Sequence, residues 1–252
     1  MWIRDVNFPE MLIEAHRAGK LVVFVGAGAS RDAPSDLPDF RSLTADIAAE
    51  AQVEVTDRDL EQPDALLGRL SDQDVDVHRR VAARIGVSSS KPNRLHEAII
   101  DLGVARPPMR LVTTNYDPHL SSVIVARGIQ VTEYVGPALP VGDHFTGLVY
   151  LHGDLRQETR QLVVTDADFG RAYLRDAWAT RFLERMFATF TVLFIGYSHG
   201  DLVMQYMARA LGPGAPRYAL TSNPGGPDWR RLGIHPVGYE VVDGSHLSLI
   251  HI

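Results

Sequence analysis

A run of five apolar residues, Leu21 to Val25, constrains the fold more than any other part of this 252-residue chain. The run contains no polar residue, so it lacks the alternation of a strand with one solvated face. A strand of this kind is covered on both faces, which is typical of the centre of a parallel sheet. Parallel strands are joined by crossover helices, and the run therefore predicts an α/β architecture.

Strand-like and helix-like patterns alternate along the rest of the chain. Further strands are predicted at residues 109–113, 129–134, 148–151, 190–195, 217–220 and 237–242. Helices are predicted at residues 9–18, 41–51, 95–102, 118–127, 166–188 and 201–211. This alternation predicts a doubly wound, Rossmann-like and mostly parallel sheet, with ligand beyond the carboxyl ends of its strands.

One stretch differs in character from this alternation. Residues 56–85 are polar and rich in aspartate, and they carry helical fragments. We therefore expect a single domain over residues 1–252, with a Rossmann-like core at about 1–55 and 105–252 and a helical insert at about 56–104. The helix predicted at 166–188 is a further candidate for this smaller part.

Composition excludes several classes of site. The chain has no cysteine, which rules out disulfides, thiolate metal sites and cysteine nucleophiles. A net charge of −6 argues against a protein whose main task is to coat nucleic acid. No apolar run is long enough to span a membrane, and the first residues lack the apolar segment of a signal peptide. We expect a cytoplasmic protein without a metal.

Three polar segments each follow a predicted strand, at residues 26–30, 114–117 and 152–154. The carboxyl ends of parallel strands meet at one edge of a sheet, so these segments are expected to meet as well. The first is a glycine-rich turn, where backbone N–H groups can hold a phosphate. Asn115 and His152 beside such a turn predict chemistry on a bound dinucleotide.

Each segment also has a purely structural interpretation. Arg31 stands where a dinucleotide fingerprint has its third glycine, and no P-loop lysine follows, so the turn is also compatible with tight packing alone. Asp39 can simply cap the helix that follows it. Asn115 suits a turn. A lone histidine such as His152 is more often structural than catalytic, and His199 also follows a strand end.

Five segments in this order resemble the sirtuin superfamily. They are Gly-Ala-Gly-Ala-Ser at 26–30, Pro-Asp-Phe-Arg at 38–41, Thr-Asn-Tyr-Asp at 114–117, His-Gly at 152–153 and Gly-Tyr-Ser at 196–198. The resemblance covers the chain from about residue 21 to the turn at 222–223. It is strongest to the SIR2-like domains of bacterial anti-phage defence systems, which share the Leu-His-Gly-Asp segment at 151–154 and the later Asp201.

This resemblance implies that NAD+ is bound, and it assigns roles to matching positions. The residues that would contact NAD+ are Gly26, Ala27, Gly28, Ser30, Asp39, Phe40, Arg41, Asn115, Asp117, His152, Gly196, Ser198, Ser222 and Asn223. Asn115 would orient the ribose or the attacking water, His152 would be the general base, and Asp117 would face the nicotinamide amide. The glycine turn would hold the pyrophosphate, and residues 38–41 would close over the nicotinamide side. Ser198 and the turn at 222–223 would lie near the adenosine half.

The function implied is NAD+ hydrolysis to nicotinamide and ADP-ribose, as a gated effector of defence that depletes NAD+. Gating would come from a homo-oligomer, an activating protein partner or a fused sensor domain. Without cysteine the chain cannot build the zinc ribbon of the protein deacetylases in this superfamily. Two alternatives remain open at this point, an NAD-dependent protein deacylase and a non-catalytic module that binds NAD+ or ADP-ribose.

Overall fold

The computed structural model describes residues 2–3, 6–197, 214–226 and 228–241. Its strands are β1 (Trp2–Ile3), β2 (Val6–Asn7), β3 (Leu21–Val25), β4 (Arg110–Thr113), β5 (Glu133–Val135), β6 (Gly147–Tyr150), β7 (Thr191–Ile195), β8 (Arg217–Thr221) and β9 (His235–Gly238). Its α-helices within these ranges are α1 (Glu10–Arg17), α2 (Phe40–Glu50), α3 (Asp57–Leu60), α4 (Pro63–Asp72), α5 (Val77–Ile85), α6 (Arg94–Ala105), α7 (His119–Ala126), α8 (Asp166–Gly170), α9 (Trp178–Thr189) and α10 (Asp228–Arg231). None of these helices combines the length and the apolarity that crossing a bilayer requires.

Seven strands form one sheet in the order β5-β6-β4-β3-β7-β8-β9, and every neighbouring pair is parallel. The chain moves outward from β3 through β4 to β5 and β6, and then returns to β7 on the other side of β3. This reversal beside β3 is the topological switch point, where a crevice forms beyond the strand ends. The structure confirms the predicted doubly wound, Rossmann-like fold.

Strand β3 explains why its sequence has no polar residue. Successive side chains of a strand point to opposite faces. Val23 and Val25 join a hydrophobic cluster with α6 and α7, whereas Val22 and Phe24 join a second cluster with α9 on the other face. The strand is therefore buried on both sides by helices, as the apolar run predicts.

A third hydrophobic cluster lies apart from the sheet. It joins α2, α4 and α5 through side chains such as Leu43, Leu67 and Val81, and Tyr116 packs against it. Helix α6 packs instead on the sheet through Ile99. The division of the chain into a core and an insert at about 56–104 stays a prediction.

The single helix predicted at 166–188 is wrong. The segment is broken into α8, a π-helical turn at Arg171–Arg175, and α9. Ala177 lies between the π-helical turn and α9. Its φ of 51° and ψ of 26° fall in the left-handed region that non-glycine residues rarely adopt. Apolar residues continue at helical spacing across the break, so periodicity did not reveal it.

Two strand boundaries also differ from prediction. Strand β5 begins at Glu133 rather than at 129, because the N–H of Ile129 closes helix α7 by donating to Ile124 O at 3.1 Å. Strand β9 runs from His235 to Gly238 rather than from 237 to 242, and it includes Pro236, which an edge strand tolerates. The helix predicted at 201–211 lies outside the described residues.

Candidate active site

The site lies where neighbouring strands end at one edge of the sheet. Val25 of β3 pairs with Thr113 of β4, and Thr113 pairs with Tyr150 of β6. Asn115 and His152 each lie two residues beyond paired positions on adjacent strands. Adjacent strands are about 4.8 Å apart. The register therefore brings the two predicted catalytic residues to neighbouring positions at the switch-point edge.

The glycines of the predicted phosphate turn have a packing role. Gly28 N donates to Gly196 O at 2.9 Å, and a Cβ atom on Gly28 would lie 2.8 Å from that same oxygen. Gly196 has φ of +74°, and a Cβ there would lie 2.7 Å from Gly26 O. These three glycines let the turns after β3 and β7 touch backbone to backbone. That Gly26, Ala27, Gly28 and Ser30 also hold a pyrophosphate stays a prediction.

Ser30 links three other buried polar side chains in one network. Its Oγ donates to Asp117 Oδ2 at 2.9 Å and lies 3.2 Å from both Asn115 Nδ2 and His96 Nε2. None of the four is more than 8% exposed. Asp117 Oδ1 also accepts from the backbone N–H of His119 at 3.1 Å, so both carboxylate oxygens lie within the network.

The contact between Ser30 and His96 does not make Ser30 a nucleophile. His96 Nδ1 lies 3.2 Å from the backbone N–H of Asn93. Because an N–H can only donate, the imidazole accepts there and carries its proton on Nε2. A histidine that donates to a serine hydroxyl cannot remove its proton, which the general base of a Ser-His-Asp triad must do.

Asn115 Oδ1 is a buried oxygen without a hydrogen-bond partner. Among the described residues, Gln157 Oε1 is the other buried side-chain atom of this kind. Leaving a buried acceptor unpaired costs about 1–3 kcal/mol, so such an atom in a native structure calls for an explanation. At the edge of the sheet where ligands bind, a hydrogen-bond donor on a ligand or a water would supply the missing partner.

His152 is buried beneath aromatic rings. Its Nε2 lies 2.7 Å from Tyr173 Oη, and its ring centroid is 5.1 Å from that of Phe169 in an edge-on arrangement. Phe40 packs against Phe169 with centroids 6.5 Å apart. We call Phe40, Phe169 and Tyr173 the aromatic cover. Burial lowers the pKa of His152 to about 3, so its imidazole is neutral at pH 7.

The other residues of the 38–41 segment point elsewhere. Asp39 is the N-cap of α2, and its side chain accepts from Ser42 N at 2.8 Å. Arg41 forms an exposed ion pair with Asp57 at 3.3 Å. Only Phe40 of the predicted binding residues in this segment therefore packs into the aromatic cover.

The predicted adenosine side of the site is described in part. Ser222 and Asn223 lie in an exposed turn that follows β8, and Asn223 O accepts from Trp229 Nε1 at 3.1 Å. Strand β8 adjoins β7, so this turn lies at the same edge of the sheet as Gly196. Ser198 and His199 lie outside the described residues.

Three residues of the site were not predicted from the sequence, namely His96, Phe169 and Tyr173. The sequence does carry a signal for His96. It lies in a predicted helix, next to Leu95 and three residues before Ile99, and a polar residue among the apolar positions of such a helix is expected to be buried. His96 is indeed buried. The described part of the chain contains no group of three or more histidine, aspartate or glutamate side chains that could hold a metal ion.

Parts of this chain are similar to known proteins. A family model described as SIR2-like domain matches residues 109–230. Uncharacterized protein y4cA of Sinorhizobium fredii (strain NBRC 101917 / NGR234) is 30% identical over 273 residues, covering 95% of this chain but only 22% of that protein. A solved chain from work on the mechanism and regulation of Sir2 enzymes aligns with 86% of this chain and 87% of its own length, at 13% identity and a TM-score of 0.44.

Proposed function

We propose that this chain is an NAD+ glycohydrolase, which cleaves the nicotinamide–ribose bond and releases ADP-ribose. The match of residues 109–230 to the SIR2-like domain model supports this proposal. A SIR2-like domain indicates an NAD-related function, and the hydrolytic reaction is the further step. The observation that supports hydrolysis is the placement of Asn115 and His152 at the ends of adjacent strands. Asn115 has an unpaired acceptor oxygen, and His152 has a neutral imidazole.

The reaction needs little from the protein beyond positioning. The bond between ribose C1′ and the pyridinium nitrogen breaks, and its electron pair goes to that nitrogen. Nicotinamide therefore leaves as a neutral molecule and needs no general acid. Water adds to the oxocarbenium-like C1′, and one proton must be removed from it. Asn115 orients the water or the ribose through its acceptor oxygen, and His152 receives the proton before passing it to solvent.

A pKa of about 3 makes His152 a weak base, although it keeps the imidazole unprotonated and ready to accept. Water becomes strongly acidic as its oxygen bonds to a cationic carbon, so a weak base is sufficient late in the reaction. Base catalysis by a positioned side chain contributes about 10²–10⁴-fold to rate. Asp117 and the glycine turn would contact the nicotinamide amide and the pyrophosphate.

Unregulated hydrolysis of NAD+ would poison the host cell, so a defence effector requires a gate. The aromatic cover supports a gated site, because it buries His152 to 6% exposure and a dinucleotide can reach that imidazole only if the cover moves. We expect low activity from the isolated chain. Homo-oligomerisation, an activating protein partner or a fused sensor domain would raise it.

The test is turnover of NAD+ by the wild-type chain and by His152→Ala and Asn115→Ala, across a range of protein concentrations. Each variant should lose about 10²–10⁴-fold in rate. His144→Ala is the matched control, because the His144 side chain is 83% exposed and lies in the loop between β5 and β6. A near wild-type rate from either variant would show that the role assigned to that residue is wrong.

Two further readouts separate the alternative functions. Acetyl-peptide turnover that keeps pace with nicotinamide release would identify a protein deacylase. Binding of NAD+ in calorimetry, with intact NAD+ recovered at every protein concentration, would identify a non-catalytic binding module.

A further inference from the structure

We infer that His96 is a positioning residue, which acts through Ser30 to hold the Asn115 amide so that its oxygen faces the substrate. The inference rests on the proposed function for its catalytic consequence. Its structural content, the direction of three hydrogen bonds, stands on the geometry alone.

The first bond fixes the tautomer of His96. Desolvation by burial lowers the pKa of this imidazole, against an opposing effect of the Asp117 charge, so the ring is neutral at pH 7. A neutral imidazole has one donor and one acceptor nitrogen. Because Nδ1 accepts from the N–H of Asn93, Nε2 carries the proton and donates to Ser30 Oγ, 3.2 Å away.

The second bond uses the only proton that Ser30 can give. A hydroxyl has one proton and two acceptor sites. The Asp117 carboxylate 2.9 Å away can only accept, so the Ser30 proton lies on that bond. Both acceptor sites of Ser30 must then receive protons, one of them from His96 Nε2.

The third bond follows from the first two. Asn115 lies 3.2 Å from Ser30 Oγ, and the remaining acceptor site of that oxygen requires a donor. The amide therefore presents Nδ2 to Ser30, and Oδ1 is left on the opposite side without a partner. A flipped amide would set two acceptors against each other at hydrogen-bond distance.

His96 is needed to keep this arrangement unique. If His96 did not donate, only the bond to Asp117 would still hold Ser30 Oγ in place. The Ser30 side chain could then rotate away from Asn115, and the amide would be free to flip. Asn115 would then present N–H groups to the site. A water or ribose hydroxyl that is to lose its proton must donate to an acceptor, and a flipped amide would hold it in the wrong orientation.

A matched pair of variants tests this role. His96→Gln keeps an N–H group at the reach of Nε2 and can still donate to Ser30. His96→Asn keeps an acceptor at the reach of Nδ1 for the N–H of Asn93, but it is too short to donate to Ser30. In His96→Asn we expect kcat for NAD+ to fall on the order of 10²-fold, which is the cost of a mispositioned group. In His96→Gln we expect kcat to stay within about 3-fold of wild type. KM should change little in either variant.

Two controls keep the result interpretable. Thermal unfolding should show similar stability for the two variants, and equal kcat losses from both would make His96 purely structural and overturn the inference. In an Asn115→Ala background, His96→Asn should cause no further loss, because the coupled effects of residues in one network do not add.

A measurement without turnover separates this inference from the proposed function. ¹⁵N NMR of the imidazole nitrogens of the wild-type chain reports the tautomer of His96, and nuclear Overhauser effects from the Asn115 side-chain amide report its orientation. We expect the Nε2–H tautomer and an Asn115 NH₂ group close to Ser30. An Nδ1–H tautomer would overturn the inference whether or not NAD+ is cleaved.

Discussion

At the scale of single residues, the site depends on how many hydrogen bonds each group can make. Ser30 uses its one proton and both acceptor sites on Asp117, Asn115 and His96. Asn115 is left with one unpaired oxygen in a buried position. In the proposed function, that oxygen accepts a hydrogen bond from the attacking water or from the ribose.

Gly28 gives the first prediction at this scale. In Gly28→Ala, the new Cβ would lie 2.8 Å from Gly196 O and 2.9 Å from Gly196 Cα, and backbone atoms cannot move aside as a flexible side chain can. We expect the free energy of unfolding to fall by about 1–3 kcal/mol, as for other overpacked positions, with a parallel loss of NAD+ binding. Urea denaturation measures the change.

Gly170→Ala is the matched control for Gly28→Ala. Apart from its chain neighbours and its own helix backbone, no atom of the described residues lies within 4 Å of a Cβ at Gly170. Its backbone is helical, with φ of −56° and ψ of −41°. Alanine there should be neutral or stabilise by up to about 1 kcal/mol. Equal urea midpoints for the two variants would show that the contact between the turns after β3 and β7 is not tight.

At the scale of elements, strands were easier to predict from sequence than the helix at 166–188. Strand β3 was predicted over its observed residues, because a run without polar residues has few interpretations. The break at Ala177 carries no proline or glycine, so nothing in the sequence marks the change from a π-helical turn to α9. That break positions Phe169 and Tyr173 over His152, and the aromatic cover was therefore not predicted.

The break gives a prediction about Ala177. A left-handed alanine costs about 1–2 kcal/mol, and glycine avoids that strain while losing about 0.5–1 kcal/mol in chain entropy. Ala177→Gly should therefore raise the free energy of unfolding by about 0.5–1 kcal/mol. Ala49→Gly, at an exposed position inside α2, should instead lower it by about 1 kcal/mol. Destabilisation by both substitutions would contradict the left-handed conformation at 177.

At the scale of the whole molecule, sequence reasoning could predict the architecture and the edge where the site lies. Strand ends of a parallel sheet converge by geometry, so Asn115 and His152 could be placed together before the structure was known. The partners of these residues come from distant segments, as Ser30 does for Asn115, 85 residues away. Such contacts depend on helix packing, which local patterns do not encode.

Burial of neutral histidines gives a prediction about acid stability. Desolvation by burial lowers the pKa of His152 from 6.5 to about 3, and it lowers the pKa of His119 as well. Between pH 6.5 and 3 the unfolded chain binds a proton at position 152 that the folded chain does not, so stability falls as pH falls. The slope is at most about 1.4 kcal/mol per pH unit for each such group.

Urea denaturation between pH 6 and 4 tests this linkage. As pH falls, the free energy of unfolding should fall less steeply in His152→Ala than in wild type. The two slopes should differ by close to the contribution of one bound proton, about 1.4 kcal/mol per pH unit. His144→Ala removes an exposed histidine and should follow the wild-type slope. Parallel slopes for wild type and His152→Ala would show that His152 is protonated in the folded chain.

The most direct test of the central claim is chromatography of NAD+ incubated with the purified chain beside His152→Ala, with a protein concentration series. We predict equimolar nicotinamide and ADP-ribose from the wild-type chain, a specific activity that rises with protein concentration or with an added activating partner, and intact NAD+ from the variant. Cleavage at equal rates by wild type and His152→Ala would contradict the account, because the reaction would then not depend on the imidazole at the switch point.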